Sequence, residues 1–340
     1  MKPSDLYRSL LDALLEVAWQ QWSAIGLAGI RASRETLVDP EALTLATLDL
    51  GRSDPRLFDE AFDWLSKNHA RVDVSRLRRM SKTGTSDQRR LLGVAARVAG
   101  LHGAGPTLRR LPDEEFIARE SDAVYGEQPL FFTEDGRPLP VTHATDQIFA
   151  SAGFRRGPQE LRGMSRLPDP AIPACLRFRA RALVGIGPRA EVLTYLWTHE
   201  WAHGREIAAR SAYGQAPVAE YLASLAGGGW AERRADGRRT LYRLAQPLRD
   251  AGGTPPQYVD WVTVWPVLLG VLGSLRPAEL SEDAQWLPLY QALSQHEAGL
   301  RAEGLEAEIA DLKAWAIRGP EVLGRAVETI VGRVRAIVGR

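Results

Sequence analysis

The feature of this chain that most constrains its fold is a succession of four predicted elements between residues 189 and 245. Apolar residues recur at helical spacing in three segments of this stretch, and Asp236-Gly237 then marks a tight hairpin turn. The elements are, in chain order, a helix over 189–197, a short helix over 205–212 that ends in a tight turn over 213–216, a third helix that begins near Pro217, and a hairpin over 230–244. This order predicts a helix-turn-helix unit whose last helix leads directly into a two-stranded hairpin.

The segment 206–225 resembles the helix-turn-helix of bacterial winged-helix regulators such as the MarR-like and ArsR-like groups. In these regulators an Ile-Ala pair, a turn, one Val and two Leu recur at fixed offsets. Five residues carry the resemblance here: Ile207, Ala208, Val218, Leu222 and Leu225. The resemblance implies a winged helix-turn-helix module in which the hairpin is the wing and the third helix is the recognition helix.

The expected fold class is mainly α, with a winged helix-turn-helix module and its β-hairpin wing flanked by N- and C-terminal helical regions. A chain of 340 residues exceeds the usual size of one domain, so more than one apolar core is expected. The predicted divisions are an N-terminal helical domain (1–110), a mixed Pro/Gly-rich connecting region (111–188), the module (189–250) and a C-terminal helical region (258–340). Between the last two, the segment AGGTPPQ at 251–257 has the composition of a linker.

Paired residues predict two helices and a hairpin outside the module. Asp39-Pro40 and Asp54-Pro55 each place a capping side chain before a proline suited to the first helical turn, so a helix should follow each pair. The second of these helices is expected over residues 55–68. Asp135-Gly136 lies between two apolar segments and predicts a hairpin in the connecting region.

Two further patterns predict which parts of the flanking regions are exposed and which are buried. The basic clusters at 76–79 and 89–90 are expected to be solvated helix faces. The apolar stretch 261–275 is too short to span a membrane and contains Pro266. It therefore predicts a buried helix pair, and no association with a membrane.

Candidate DNA-binding residues come from the wing and from exposed positions of the helix-turn-helix. They are Arg205, Gln215, Ala216, Ala219, Glu220, Ser224, Arg233, Arg234, Arg238 and Arg239. The segment 204–249 contains eight arginines and four acidic residues, a net charge of +4, whereas the whole chain carries +1. This local excess favours contact with phosphate, which guanidinium groups bind through paired hydrogen bonds.

The turn predicts how the arginines of the wing face each other. If Asp236-Gly237 forms the centre of a type I′ turn, Arg234 lies opposite Arg239, while Arg233 and Arg238 lie on the other face. Like charges opposite each other destabilise a strand pair by up to about 1 kcal/mol, which an anionic partner would relieve. The wing therefore favours double-stranded DNA as the partner.

The recognition helix leaves a second function open, because its exposed positions contain no Arg or Lys. Gln215 can hydrogen-bond adenine and Glu220 can accept from cytosine N4, but Glu220 also repels backbone phosphate. The alternative is a winged helix that binds protein, including a partner encoded in the same operon. The helical extensions also resemble the architecture of antitoxin-type repressors.

The sequence thus predicts a prokaryotic transcriptional regulator that is not an enzyme and needs no cofactor. Winged-helix regulators usually bind inverted repeats as homodimers, and the C-terminal helices are the expected dimer contact. The single cysteine, Cys175, has no second thiol for a disulfide, and the charged N-terminal segment is unlike a signal peptide. Both features favour a cytoplasmic location.

A competing motif lies between the first two helices of the module. The residues at 199–203 match HExxH, which on a continuous helix would make His199 and His203 zinc ligands and Glu200 the general base. A third ligand is lacking at the usual spacing, since no histidine follows at metzincin spacing and the nearest suitable carboxylate, Glu220, belongs to the proposed recognition helix. A zinc metallopeptidase therefore stands as the second alternative.

Overall fold

The computed structural model describes residues 2–27, 34–103, 128–276, 286–302 and 319–338, together with residues 108, 111 and 284. Helices dominate these residues, and the strands form only small sheets, which confirms the predicted mainly α class. The helices are α1 (Pro3–Ala24), α2 (Pro40–Leu50), α3 (Pro55–Asn68), α4 (Val74–Ser81), α5 (Ser86–Leu101), α6 (Gln147–Ala150), α7 (Leu176–Val184), α8 (Pro188–Thr198), α9 (Gly204–Arg210), α10 (Gln215–Gly227), α11 (Gln246–Ala251), α12 (Trp261–Leu275), α13 (Trp286–Gln295), α14 (Glu297–Ala302) and α15 (Glu321–Val338). The strands are β1 (Gln128–Pro129), β2 (Phe154–Arg155), β3 (Ala202–His203), β4 (Ala231–Asp236) and β5 (Arg239–Leu244).

The Asp-Pro pairs begin α2 and α3 as the sequence predicts. An Asp39 carboxylate oxygen accepts the backbone N–H of Ala42 at 3.1 Å, and Asp54 accepts that of Leu57 at 3.0 Å. Each bond satisfies one of the backbone donors that a helix N-terminus leaves without an intrahelical partner. The prolines occupy the first helical position, where no N–H is needed.

The larger of two hydrophobic clusters holds together a helical body made of α1–α5 and α12–α15. Residues from both ends of the chain are buried in this one cluster, among them Leu10, Trp64, Leu268 and Val327. The predicted N-terminal domain and C-terminal region therefore share a core, although the sequence divides them. An amphipathic helix shows that one of its faces is buried, but not which distant helix covers that face.

Helix α12 is continuous through Pro266, so the predicted helix pair is wrong. Pro266 lacks the N–H for one backbone hydrogen bond of the helix. Burial of the apolar side chains before and after it offsets this loss, since Trp261, Trp265 and Leu268 are all in the core. Among the residues that the structure describes, no helix has the length and apolarity that a membrane crossing requires.

The connecting region contributes short strands to the body. Asp135-Gly136 does form a turn, with Gly136 at a φ of +75°, but the antiparallel pairing around it is a single bridge between Phe132 and Pro138. Strand β1 instead pairs in parallel with β2. The predicted hairpin is thus present in a shorter form than the sequence indicates.

A smaller hydrophobic cluster forms the core of residues 188–244, which we call the module. The apolar positions of its short helices are buried there: Ile207, Ala208, Val218, Leu222 and Leu225. These are the five positions that carry the resemblance in the sequence. Ala231 and Leu244, at the base of the hairpin, complete the cluster.

Six charged side chains are buried where the body meets the module, and they form a network with no net charge. They are Asp39, Glu41, Arg76, Arg177, Arg181 and Glu191. Arg76 binds Asp39 at 2.5 Å and Glu41 at 2.8 Å, while Arg181 joins Glu41 to Glu191 at 2.7 and 3.1 Å. Arg177 bridges Asp39 and Glu191. The network ties α2 and α4 of the body to α8 of the module through α7.

The arginines keep the buried carboxylates ionised. Burial alone would raise the pKa of Glu41, but Arg181 and Arg76 together hold it below its usual value. The pKa of Asp39 is likewise lowered, because the guanidinium groups of Arg177 and Arg76 outweigh its burial. Arg76 was expected on a solvated helix face, and that prediction is wrong, since its side chain has 0% exposure.

Replacing Arg76 by methionine should leave Asp39 and Glu41 buried without their shared partner. Removing one member of a buried ion network destabilises a protein by about 3–5 kcal/mol. We therefore expect the free energy of unfolding of Arg76→Met, measured by urea denaturation, to fall by about that amount. The control is Arg78→Met on the same helix, an exposed arginine whose loss should change the free energy by less than about 0.5 kcal/mol. Equal losses in the two variants would contradict the role given to the network.

Candidate nucleic-acid interface

The module consists of α8, β3, α9, α10 and the hairpin β4–β5, in that order along the chain. Strand β3 pairs antiparallel with β5, with Ala202 opposite Tyr242, so the sheet order is β3-β5-β4. The inward side chains Ala202 and Leu244 join the small core, while the hairpin extends beyond it with its far end exposed. This packing fixes α10 and the hairpin side by side.

The turn between α9 and α10 is held by an alanine in a left-handed conformation. Ala212 has a φ of +56°, which costs an L-residue roughly 1–2 kcal/mol. The turn places the N–H of Tyr213 at 3.0 Å from the Ala208 carbonyl oxygen, which it donates to, and so satisfies the end of α9. Helix α4 stabilises this arrangement from outside the module, because Arg79 donates to the Ala212 carbonyl oxygen and Arg76 Nε to that of Ser211 at 2.8 Å.

One face of α10 is open to solvent along its whole length. The predicted recognition residues all lie on it: Gln215, Ala216, Ala219, Glu220 and Ser224. The opposite face is the buried one, with Val218, Leu222 and Leu225. The exposed face offers one amide, one carboxylate and small side chains, without a cation.

The register of the hairpin differs from the prediction by two residues. Asp236 lies opposite Arg239, and Arg234 lies opposite Leu241, so the expected Arg234–Arg239 pair does not form. The central turn residues are Gly237 and Arg238, and only Gly237 has a positive φ, at +58°. A single positive φ at the first central residue is typical of a type II′ turn, which requires glycine there. Like-charge repulsion across the strands therefore gives no argument for an anionic partner.

Trp201 supports the outer face of the hairpin, a role that sequence analysis missed. The Arg234 guanidinium lies 4.2 Å from the centre of its ring and that of Arg243 lies 4.7 Å away. Arg243 also binds Glu232 of the neighbouring strand at 2.8 Å. The sequence showed Trp201 only as a variable position of HExxH, since its arginine partners follow more than 30 residues later.

The candidate arginines remain available for a ligand. Within the described part of the chain, Arg205, Arg233, Arg234, Arg238 and Arg239 form no ion pair, and all five are exposed. Two other arginines of the module form ion pairs: Arg243 pairs with Glu232, and Arg210 pairs with Asp260 of the body at 2.8 Å. The hairpin thus concentrates unpaired positive charge at its exposed end.

The HExxH residues do not have the geometry of a helical zinc site. Helix α8 ends at Thr198, and both His199 and His203 have extended backbone. The Nδ1 atom of His199 donates to the Tyr195 carbonyl oxygen at 2.9 Å, and Nδ1 of His203 accepts the N–H of Arg205 at 3.2 Å, which caps α9. Each imidazole therefore has a structural partner, and the two do not share a helix face.

Other side chains do not complete such a site. Across the described residues, no three His, Cys, Asp or Glu side chains lie close enough together to hold a metal ion. His199 instead stacks face to face on the ring of Tyr195, with centres 3.9 Å apart, and burial lowers its pKa. The donor set present here does not fit the zinc peptidase alternative.

Comparisons with known proteins leave the geometry as the basis for assigning a function. No protein-family model, curated protein or solved structure matches this chain. Three features of the module bear on its function: the exposed face of α10, the unpaired arginines of the hairpin and the order of the elements that carry them.

We expect His203 to act as a helix cap and not as a zinc ligand. His203→Ala should leave the zinc content of purified protein unchanged, measured by elemental analysis after incubation with zinc. The same change should destabilise α9 and lower the free energy of unfolding by about 0.5–2 kcal/mol, as loss of a cap does. His203→Asn, which can still cap, is the matched control. Stoichiometric zinc that is lost in both variants would restore the peptidase alternative.

Proposed function

We propose that residues 188–244 form a winged helix-turn-helix module and that the protein is a DNA-binding transcriptional regulator. The observation that carries the proposal is the order of elements in space. A helix, a strand, two helices joined by a tight turn, and a hairpin pack on one small core, with the first strand added to the hairpin. Such an arrangement presents α10 as the recognition helix and β4–β5 as the wing.

The chemistry of the wing supports duplex DNA as its ligand. Arg233, Arg234, Arg238 and Arg239 have no anionic partner among the described residues, so phosphate contact would release counterions without breaking an ion pair. In a winged helix the recognition helix lies in the major groove, where the Gln215 amide can bind adenine. In this proposal the arginines supply affinity, and α10 supplies sequence preference.

We also propose that the regulator acts as a homodimer on an inverted repeat, as winged-helix proteins usually do. The C-terminal helices were the expected contact between copies. The apolar side of α15, with Leu323, Val327 and Val334, is already buried within the chain. A dimer contact would therefore have to use another surface.

One observation favours a protein partner as the second candidate function. The exposed face of α10 has no cation and consists largely of small side chains, which permits close approach of another protein. Trp230, at the end of α10, has 52% of its surface exposed, and exposed tryptophan is enriched in protein interfaces. This candidate predicts a stable heterocomplex and no DNA affinity.

The DNA proposal is tested by titrating labelled duplexes from the region upstream of the gene at salt concentrations from about 50 to about 200 mM. The wild-type affinity should fall steeply with salt. The variant with Arg233, Arg234, Arg238 and Arg239 all changed to Ala should bind more weakly, with a slope of log affinity against log salt that is smaller by up to about four.

The control replaces four exposed arginines outside the module, none of which pairs with a described acidic residue. They are Arg34, Arg137, Arg155 and Arg325. Changing these four to Ala should leave affinity and slope unchanged, since the global charge is altered equally but the wing is intact. Equal losses of DNA affinity in both quadruple variants, or a DNA affinity that does not change with salt concentration, would contradict the assignment of the wing.

Glu220 gives a test of the recognition helix itself. Its exposed carboxylate would lie near the DNA backbone, so Glu220→Gln should raise affinity for non-specific duplex by about twofold to tenfold, equivalent to roughly 0.4–1.4 kcal/mol. The control Glu134→Gln, an exposed carboxylate of the body, should have no effect. A recognition helix that lies away from DNA would make the two variants indistinguishable.

A further inference from the structure

The helical body contains a large cavity that the proposed DNA contact does not use. Its volume is about 860 Å³, and its walls come from α1, α2, α12 and the segment from α4 to α5. Sites for small molecules usually have volumes of about 300–1,000 Å³ and combine apolar walls with a few polar groups. The apolar walls include Leu11, Leu50, Trp265 and Leu269, and Asp49 is among the polar groups.

Asp49 is a carboxylate with one unused oxygen in the wall of this cavity. Its Oδ2 accepts a hydrogen bond from Gln88 Nε2 at 2.8 Å, and no described residue bonds Oδ1 or forms an ion pair with the group. The neighbouring Arg52 is engaged elsewhere, with Asp87 at 2.7 Å and with the carbonyl oxygens of Leu130 and Pro129. Among the described residues, therefore, no side chain forms an ion pair with Asp49.

The surroundings of Asp49 make this charge costly. Burial raises the pKa of Asp49 to about 6, although the positive charges of Arg52 and Arg276 act in the opposite direction. Asp87 pairs with Arg90 as well as with Arg52, so it offsets the charge of Arg52 only in part. His296 also lines the cavity, and burial lowers its pKa, which favours the neutral imidazole. A cation bound at Asp49 would relieve the cost of this partly buried carboxylate.

Two further arginines, Arg79 and Arg276, line the cavity at exposed positions, and the charge of Arg276 acts on Asp49. The Arg276 guanidinium is over the ring of Phe132 at 5.1 Å, and that of Arg79 is over the ring of Tyr213 at 4.6 Å. Both arginines are exposed, so solvent screens their repulsion of a bound cation.

The cavity also reaches the turn of the helix-turn-helix. Arg79, Met80 and Thr83 line it at the end of α4, and Ala212 lines it from the module. Arg79 donates to the carbonyl oxygen of Ala212, the residue held in the left-handed conformation. A ligand in the cavity would therefore contact the groups that fix the angle between α9 and α10.

We propose that this cavity is an effector site that binds a small organic ammonium ion. The ammonium group pairs with Asp49, the apolar part of the ligand lies against the walls of α1, α2 and α12, and occupancy acts on the recognition helix through Arg79 and Ala212. The effector role rests on the proposed DNA-binding function, whereas binding of the ligand does not.

Binding is tested by calorimetry without DNA, with benzylamine, phenethylamine and tryptamine as probes. Each is compared with its neutral alcohol: benzyl alcohol, phenethyl alcohol and tryptophol. We expect at least one amine to bind wild type, its alcohol to bind at least about tenfold more weakly, and Asp49→Asn to lose at least about tenfold in amine affinity. The control Asp12→Asn, an exposed carboxylate on α1, should bind as wild type.

The pH dependence gives a second measurement on the wild-type protein. As pH falls below about 6, Asp49 becomes protonated in the free protein, so amine affinity should decrease by up to about tenfold per pH unit. The groups that face Asp49 are Gln88, Arg52, Asp87 and Arg276. No binding of any of the three amines, equal binding of amine and alcohol, or affinity that is independent of pH would overturn the site.

The effector role is tested by measuring DNA affinity with and without the bound amine. Saturating amine should change the wild-type affinity at least about fivefold, while Arg79→Ala should still bind the amine but show no change in DNA affinity. An amine that binds without altering DNA affinity would overturn the effector role alone. Absence of any DNA binding would overturn the effector role together with the proposed function, and calorimetry would still decide whether the cavity binds amines.

Discussion

The arrangement of the molecule depends on the six charged side chains buried between the body and the module. Taking six charges out of water is unfavourable unless each finds a partner in good geometry, so the helices that carry them must meet in one relative position. Hydrophobic packing alone would be less selective, because apolar contacts have no preferred direction. The network lies where the two hydrophobic clusters meet. It therefore sets the orientation in which α8 presents the rest of the module.

Helix α4 connects the same network to the α9–α10 turn. Asp73, Arg76 and Arg79 follow one another at helical spacing and bond Tyr213, Ser211 and Ala212 in the module. The strained turn is thus supported by the body, not by the module alone. A change at the end of α4 would act on the turn before α10 directly, so α4 is a structural link between the cavity and α10.

Local interactions made much of the fold predictable from sequence. The Asp-Pro caps, the apolar spacing of α9 and α10 and the glycine of the hairpin depend on residues only a few positions apart. The network was not predictable, because Arg76 binds Asp39 at a separation of 37 residues, and a basic cluster on a short helix is more often solvated.

The prediction of the hairpin register was wrong for a local reason. Asp236-Gly237 fits the centre of a type I′ turn, but the chain places Gly237 first, and the register then moves by two residues.

The candidate site was predictable in its residues but not in its partners. The arginines of the hairpin are exposed because β4 extends beyond the core after Ala231, so both of its faces meet solvent. The position of Trp201 beside Arg234 and Arg243 depends on the third strand, which follows Trp201 directly. Nothing in the sequence indicates that Asp49 lines a cavity. A single carboxylate in an apolar helix is usually solvated, and only the positions of the surrounding helices show otherwise. The HExxH motif shows the opposite error, because its five residues do not reveal that the helix ends at Thr198, just before them.

The pairing of α1 with α15 has a consequence for synthesis of the chain. These helices pack against each other in the body, and Ser9 and Arg335, 326 residues apart, lie within 3.5 Å. A ribosome releases α1 long before α15, so the part of the apolar face of α1 that α15 covers stays exposed until residues 321–338 have been made. Contacts between such distant segments form late and slowly. The body can therefore close only after the module has left the ribosome, and the nascent chain carries an open apolar surface that chaperones recognise.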